Sequence, residues 1–122
     1  SLNKEMILEG EIKDIAGYSG KKERCPECGR ETDEGFCAVH AEVDTEKDFS
    51  LAVKLDGKKV NLDEHQFERI TGFSSQDIEA LPENEKISLL KKKMKGTKLR
   101  ATGSNGKDRF YPDEVDVIQS EN

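Results

Sequence analysis

Between Phe49 and Leu62 the apolar positions fall two apart. Phe49, Leu51, Val53 and Leu55 alternate with Ser50, Ala52 and Lys54, the period of a strand that buries one face. This register sends Phe49 toward a core and Ser50, Ala52 and Lys54 outward. Asp56-Gly57 follows, a pair suited to the positive φ of a two-residue hairpin turn, and Lys58 to Leu62 is expected to return antiparallel. An earlier stretch, Met6 to Ile15, alternates well enough for a first strand, with Leu8, Gly10 and Ile12 on one side. After Leu62 the period lengthens. Asp63 followed by Gln66 is a helix N-cap with its reciprocal partner, Phe67 and Ile70 give that helix an apolar side, and Gly72 ends it. Ser74 to Asp77 opens a second short helix carrying Ile78 and Leu81, stopped by Pro82. A third, Glu83 to Lys95, aligns Ile87, Leu90 and Met94, gathers lysines at its C-terminal end and stops at Gly96. Lys98 to Thr102 then alternates as a fourth strand, with Arg100 outward. A Gly103-Ser-Asn-Gly106 turn and a last alternating stretch, Glu114 to Ile118, complete a second hairpin.

The predicted fold is therefore mainly β: five strands, with helices between the third and the fourth. That is the order of the five-stranded Greek-key barrel known as the OB-fold, which binds oligonucleotides and oligosaccharides. At 122 residues, 33% of them hydrophobic and 6% aromatic, the chain is read as one domain over 1–122 with a small core. No apolar run approaches the roughly 18 residues of a membrane span, and the chain is expected to be soluble with no membrane partner.

The net charge of −6 argues at face value against a nucleic-acid partner. Its distribution changes that picture. From Lys86 to Arg100 there are seven basic residues and no acidic one, and Lys21, Lys22 and Arg24 form a second basic group. Acidic residues concentrate between Glu42 and Glu85 and at the tail, so one basic and one acidic face are expected. The lysines of the third helix are better explained as a solvated face than as a DNA track.

All three cysteines fall in one short stretch, Cys25-Pro-Glu-Cys28-Gly29 followed by Cys37-Ala-Val-His40. Two intervening residues let each pair turn both ligands to one side, and three thiolates with one imidazole make a closed tetrahedral set for a structural Zn2+. Gly29, and Gly35 on the returning half, are expected to take the positive φ that aims backbone N–H groups at sulfur. The other histidine, His65, is distant in sequence and is read as a surface residue. An odd cysteine count and no signal peptide argue against disulfides and for a reducing, intracellular and cytoplasmic setting. The zinc-ribbon segment is placed at 19–42, between the first two strands. A closed site leaves no position for a reacting water, and no catalytic triad or carboxylate pair stands out, so an enzyme is not expected.

The run Cys25-Pro-Glu-Cys28-Gly29-Arg30, Gly35-Phe36-Cys37-Ala-Val-His40, Phe49 to Gly57 and Ile70-Thr-Gly72 resembles the zinc-containing OB domains of archaeal replication protein A. The C-terminal OB domain of the eukaryotic large subunit is similar, with a zinc ribbon between its first two barrel strands. The resemblance covers about residues 5 to 118. It implies single-stranded DNA binding in replication, repair or recombination, and nucleoid association if the source is archaeal. Family members carry several such domains in tandem, so it also implies a fragment or subunit acting beside other replication protein A domains.

Single-strand binding needs cations for phosphates and exposed rings for bases. The expected contacts lie on the second and third strands (Lys54, Lys59), on the fourth (Arg100) and in a Thr102 to Tyr111 loop (Lys107, Arg109, Phe110, Tyr111), with Tyr18 near the cysteines as a further ring. Phe110 capping the barrel and Tyr111 bordering it is the equally weighted structural alternative, and Phe49 is assigned to the core. The competing function is an assembly domain that docks through its acidic surface and cysteine-bearing segment, with little DNA affinity.

Overall fold

A computed structural model describes residues 5–119, apart from the side chains of residues 47, 48 and 119. Its order is β1 (Met6–Arg24), β2 (Phe36–Cys37), β3 (Ala41–Glu42), β4 (Glu46–Leu55), β5 (Lys58–Leu62), α1 (Glu64–Thr71), α2 (Ser75–Glu79), α3 (Glu83–Met94), β6 (Lys98–Asn105) and β7 (Phe110–Gln119). The long strands pair in the order β1-β4-β5-β7-β6 and back to β1, so the five-stranded sheet closes on itself. Every pairing is antiparallel except β5 with β7, where the parallel bridge Val60↔Phe110 completes the ring. Closure leaves the interior to side chains. Ile12, Leu51, Val53, Leu55, Val60 and Leu62 line it from the first three long strands, Leu99, Ala101, Phe110 and Val115 from the last two, and Phe67, Ile78, Leu90 and Met94 from the helices.

Local chemistry explains most boundaries. Asp56 and Gly57 both have positive φ (50° and 92°), as a twisted two-residue turn requires. At Asp63 the capping box forms as its residues dictate: Gln66 N donates to Asp63 Oδ1 at 2.7 Å, and Asp63 N donates to Gln66 Oε1 at 3.0 Å. Gly72 closes α1 in the left-handed conformation, and Ser74 caps α2 by accepting from Asp77 N. The same Gln66 side chain donates from Nε2 to Pro112 O at 3.1 Å, which ties α1 to β7. Gly96 N and Ile12 N bond reciprocally to Ile12 O and Thr97 O, fixing the end of α3 to β1.

Three boundaries differ from expectation. β1 runs through to Arg24 instead of stopping near Ile15, because register shifts after Ile12, Ile15 and Tyr18 let the strand bend and continue after its alternation breaks. The cysteine-bearing segment, expected at 19–42, accordingly spans 25–45, since Arg24 already pairs with Glu46 of β4. Gly103 lies inside β6, and the hairpin turn is the short stretch from Gly106 to Arg109, so Phe110 and Tyr111 belong to β7. Among the described residues no helix is long and apolar enough to cross a membrane.

Candidate metal centre and nucleic-acid interface

The segment from 25 to 45 brings two turns together, the second of which, from Cys37 to His40, joins β2 to β3. In the first turn the N–H groups of Glu27 and Cys28 point at the Cys25 sulfur; in the second, those of Val39 and His40 point at the Cys37 sulfur. Each Cys-x-x-ligand pair thus aims the second and third amides after its cysteine at that thiolate, replacing water. The residue closing each turn is left-handed: Gly29 has φ 76° and Ala41 has φ 62°. Gly35, expected to serve the second half, has φ 82° but precedes the ligands and closes the β2–β3 hairpin by accepting from Val43 N.

The four ligand atoms lie within 4.8 Å of one another. Cys25 Sγ to His40 Nδ1 is 3.5 Å, Cys28 Sγ to Cys37 Sγ is 3.6 Å and Cys37 Sγ to His40 Nδ1 is 3.8 Å. Metal–sulfur bonds of about 2.3 Å at tetrahedral angles put ligand atoms about 3.8 Å apart, so the donor set fits an ion of that kind. Electrostatics divides the sulfurs. The His40 and Val39 amides draw the Cys37 thiol down to about 6, whereas burial pushes the Cys25 thiol up. The neighbouring sulfurs, Cys37 first, raise the His40 imidazole. Cys25 and Cys37 are buried and Cys28 is exposed, so a bound ion would sit at the rim of the segment with solvent on one side.

The second cluster is on the outside of the sheet. Val53, Leu55 and Val60 face the core, and between them Lys54 pairs with Lys59 and Ala52 with Asn61, all four on the opposite face. The bridge Val60↔Phe110 extends this face onto β7: Lys59 and Asn61 flank Val60, Arg109 and Tyr111 flank Phe110, and Phe110 is fully buried. Arg109 Nη1 donates to Asn61 Oδ1 at 3.3 Å, drawing the β6–β7 turn toward β5. Tyr111 remains 48% exposed, its ring lying so close over Gly106 that a Cβ there would approach it to 2.3 Å. Lys54 and Lys59 are exposed and, among the described residues, have no carboxylate partner. Three cations and one open ring therefore share a face that runs from the β4–β5 turn to the β6–β7 turn.

Other expected contacts lie elsewhere. Phe110 is no platform, because closing the sheet buries it. Tyr18 turns toward the helices: its ring packs edge-on against Phe49 at 5.9 Å and its hydroxyl donates to Glu79, so burial and that carboxylate hold the phenol well above its ordinary range. Arg100 is exposed on β6 but bonded to Glu9 at 2.6 Å, away from Lys54 and Lys59. Lys107 is exposed in the turn. Phe49 joins Phe67 at 5.4 Å, as its register predicts. Ala52, expected outward, lies outside the core cluster yet is 3% exposed, since its partner Asn61 is held by Arg109 and a methyl is too short to emerge. His65 is exposed, as expected. Lys86, read as part of a solvated face, is buried between Glu83 at 3.0 Å and Glu79 at 3.7 Å. Asn61 was missed, although its place between Val60 and Leu62 was signal enough.

No protein-family model and no curated protein matches the chain.

Proposed function

We propose that the chain is an OB-fold module, of the replication protein A kind, that binds single-stranded DNA and is braced by a structural Zn2+. The strand order supports the fold reading: in barrel terms it is 1-2-3-5-4, closed by a parallel pair, with the cysteine-bearing segment as the loop between strands one and two. The observation that carries the function is the outer face of β4 and β5. It gathers Lys54, Lys59 and Arg109 on the face that carries the Tyr111 ring, on the two strands with which such barrels bind oligonucleotides and beside the loop between the last two. In this reading the cations take phosphates, Tyr111 stacks on one base, and Asn61 holds Arg109 in place. Zinc, when bound, supplies a cross-link that fixes the turns of residues 25–45, with Cys25, Cys28, Cys37 and His40 as ligands. The setting is replication, repair or recombination, beside other domains or subunits of the same assembly.

The test is fluorescence anisotropy with labelled oligo-dT at low salt. Three phosphate contacts on single strands give a log–log salt slope of about −2. Saturable binding with such a slope is expected, weakened by Lys54→Glu. No salt-sensitive binding at high micromolar protein removes the reading.

A further inference from the structure

The tip of the cysteine-bearing segment has the opposite character from the β4–β5 face. Phe36 and Val39, on either side of the Cys37 ligand, are 54% and 58% exposed, though both are apolar and held in position by the turn that carries Cys37 and His40. A shallow groove runs beside Phe36, lined by Glu31, Thr32, Asp33 and Ala38. Residues 25–46 contain seven carboxylates against Arg30 as the single lysine or arginine. Of those at the groove Glu31 is paired with Lys22 at 3.1 Å, while Asp33 and the adjacent Glu34 have no cationic partner among the described residues. Three thiolates and one imidazole around a divalent ion add a further net negative charge. Thr32 Oγ1, also part of this groove, is enclosed and is the one such side-chain oxygen among the described residues without a hydrogen-bond partner.

We infer that this tip is a protein-docking surface for a basic amphipathic segment, a stretch rich in lysine or arginine that presents an apolar side chain to Phe36 and Val39. Charge selects the occupant. A polyanion is repelled by Asp33, Glu34 and their neighbours, so the exposed Phe36 ring is poorly placed as a DNA platform, whereas the same carboxylates attract cations that flank an apolar anchor. The exposed apolar pair supplies the desolvated centre and the acidic residues the rim that exclude wrong partners. The division of labour follows: DNA on the cationic face, protein on the anionic tip. The docking inference does not depend on the DNA reading.

The experiment is an NMR titration of the zinc-loaded full chain at physiological ionic strength. The probe is a short peptide of Lys and Leu at helical spacing; its Glu-for-Lys counterpart is the control. Expected are saturable shifts at Glu31, Asp33, Phe36, Ala38 and Val39 with the basic peptide and none with the acidic one. Phe36→Ser should weaken binding at least about tenfold, as loss of an aromatic anchor does, with zinc content and melting unchanged. Asp33→Lys should weaken it in proportion to salt sensitivity. In parallel, oligo-dT should give the Phe36→Ser variant and the parent the same affinity. The inference is overturned if millimolar peptide fails to saturate, if the shifts spread over all acidic surfaces or survive Phe36→Ser, or if oligo-dT moves the Phe36 signals. Concentration-dependent shifts of the protein alone that Phe36→Ser abolishes would assign the tip to a second copy of this chain and equally overturn it.

Discussion

The closed sheet and the segment of residues 25–45 are held together by different physics. The sheet encloses fourteen buried apolar residues from strands and helices, and each large side chain fully removed from water contributes roughly 1.5–3 kcal/mol against the entropy of ordering the chain. Within 25–45 only Cys25 and Cys37 are buried among the described residues, and Phe36 and Val39 are exposed while Val43 is half-buried. In the proposed reading, a segment that cannot fold by burial folds by ligation. The lesson is that a surface loop freed from supplying its own core can spend its apolar and charged residues on recognition.

The largest effect that would break this comparison is metal removal. Chelation, or Cys28→Ser, is expected to abolish ordered amide signals from about 25 to 45 while those of β4, β5 and β7 persist, since Arg24 and Glu46 pair independently of the metal. Verified zinc removal with unchanged signals in that segment would refute its dependence on ligation. Phe67→Ala tests the converse. It removes a fully buried ring and should lower the stability of the sheet by about 3–5 kcal/mol in denaturant unfolding, with zinc stoichiometry retained in the folded fraction. A smaller loss is expected from Tyr111→Ala: about 1–3 kcal/mol of oligo-dT affinity, with melting nearly unaltered because the ring is half exposed. Equal affinity for variant and parent would move the stacking platform elsewhere. The smallest effect sharpens the contrast. Ala41 sits at φ 62°, where a Cβ costs about 1–2 kcal/mol, so Ala41→Gly should slow amide exchange in the cysteine-bearing segment and leave the sheet unaffected.

How much of this could be read beforehand depended on whether the determinants were local. The Asp63/Gln66 box, the Asp56-Gly57 turn and the strand Lys58–Leu62 involve residues within a few positions of one another, and each stands where its pattern places it. The Cys25, Cys28, Cys37 and His40 cluster was legible for the same reason, since each pair lies within one turn. β1 was half legible: bulges interrupt its alternation, so a period-two reading stops at the first break although pairing with β4 continues to Arg24. Phe110 was left open between stacking platform and barrel cap because its burial depends on Val60, fifty residues earlier, and only the closed sheet decides for the cap. Lys86 and Tyr18 went astray together. Both are drawn to Glu79, a carboxylate whose position is set by how α2 packs on β1.

The parallel bridge between Val60 and Phe110 also makes the fold a ring with a latch. Elsewhere the strands are joined by ladders of several residue pairs, but β5 and β7 share a single bridged pair, reinforced by the Gln66 clasp onto Pro112 and by Arg109 on Asn61. Unlatching there would convert the cylinder into an open ribbon with two bare strand margins, the form most prone to join another chain edge to edge. Arg109, one of the residues proposed to contact DNA on the outer face, also helps to hold the ring shut, so occupancy of that face would also fasten the latch.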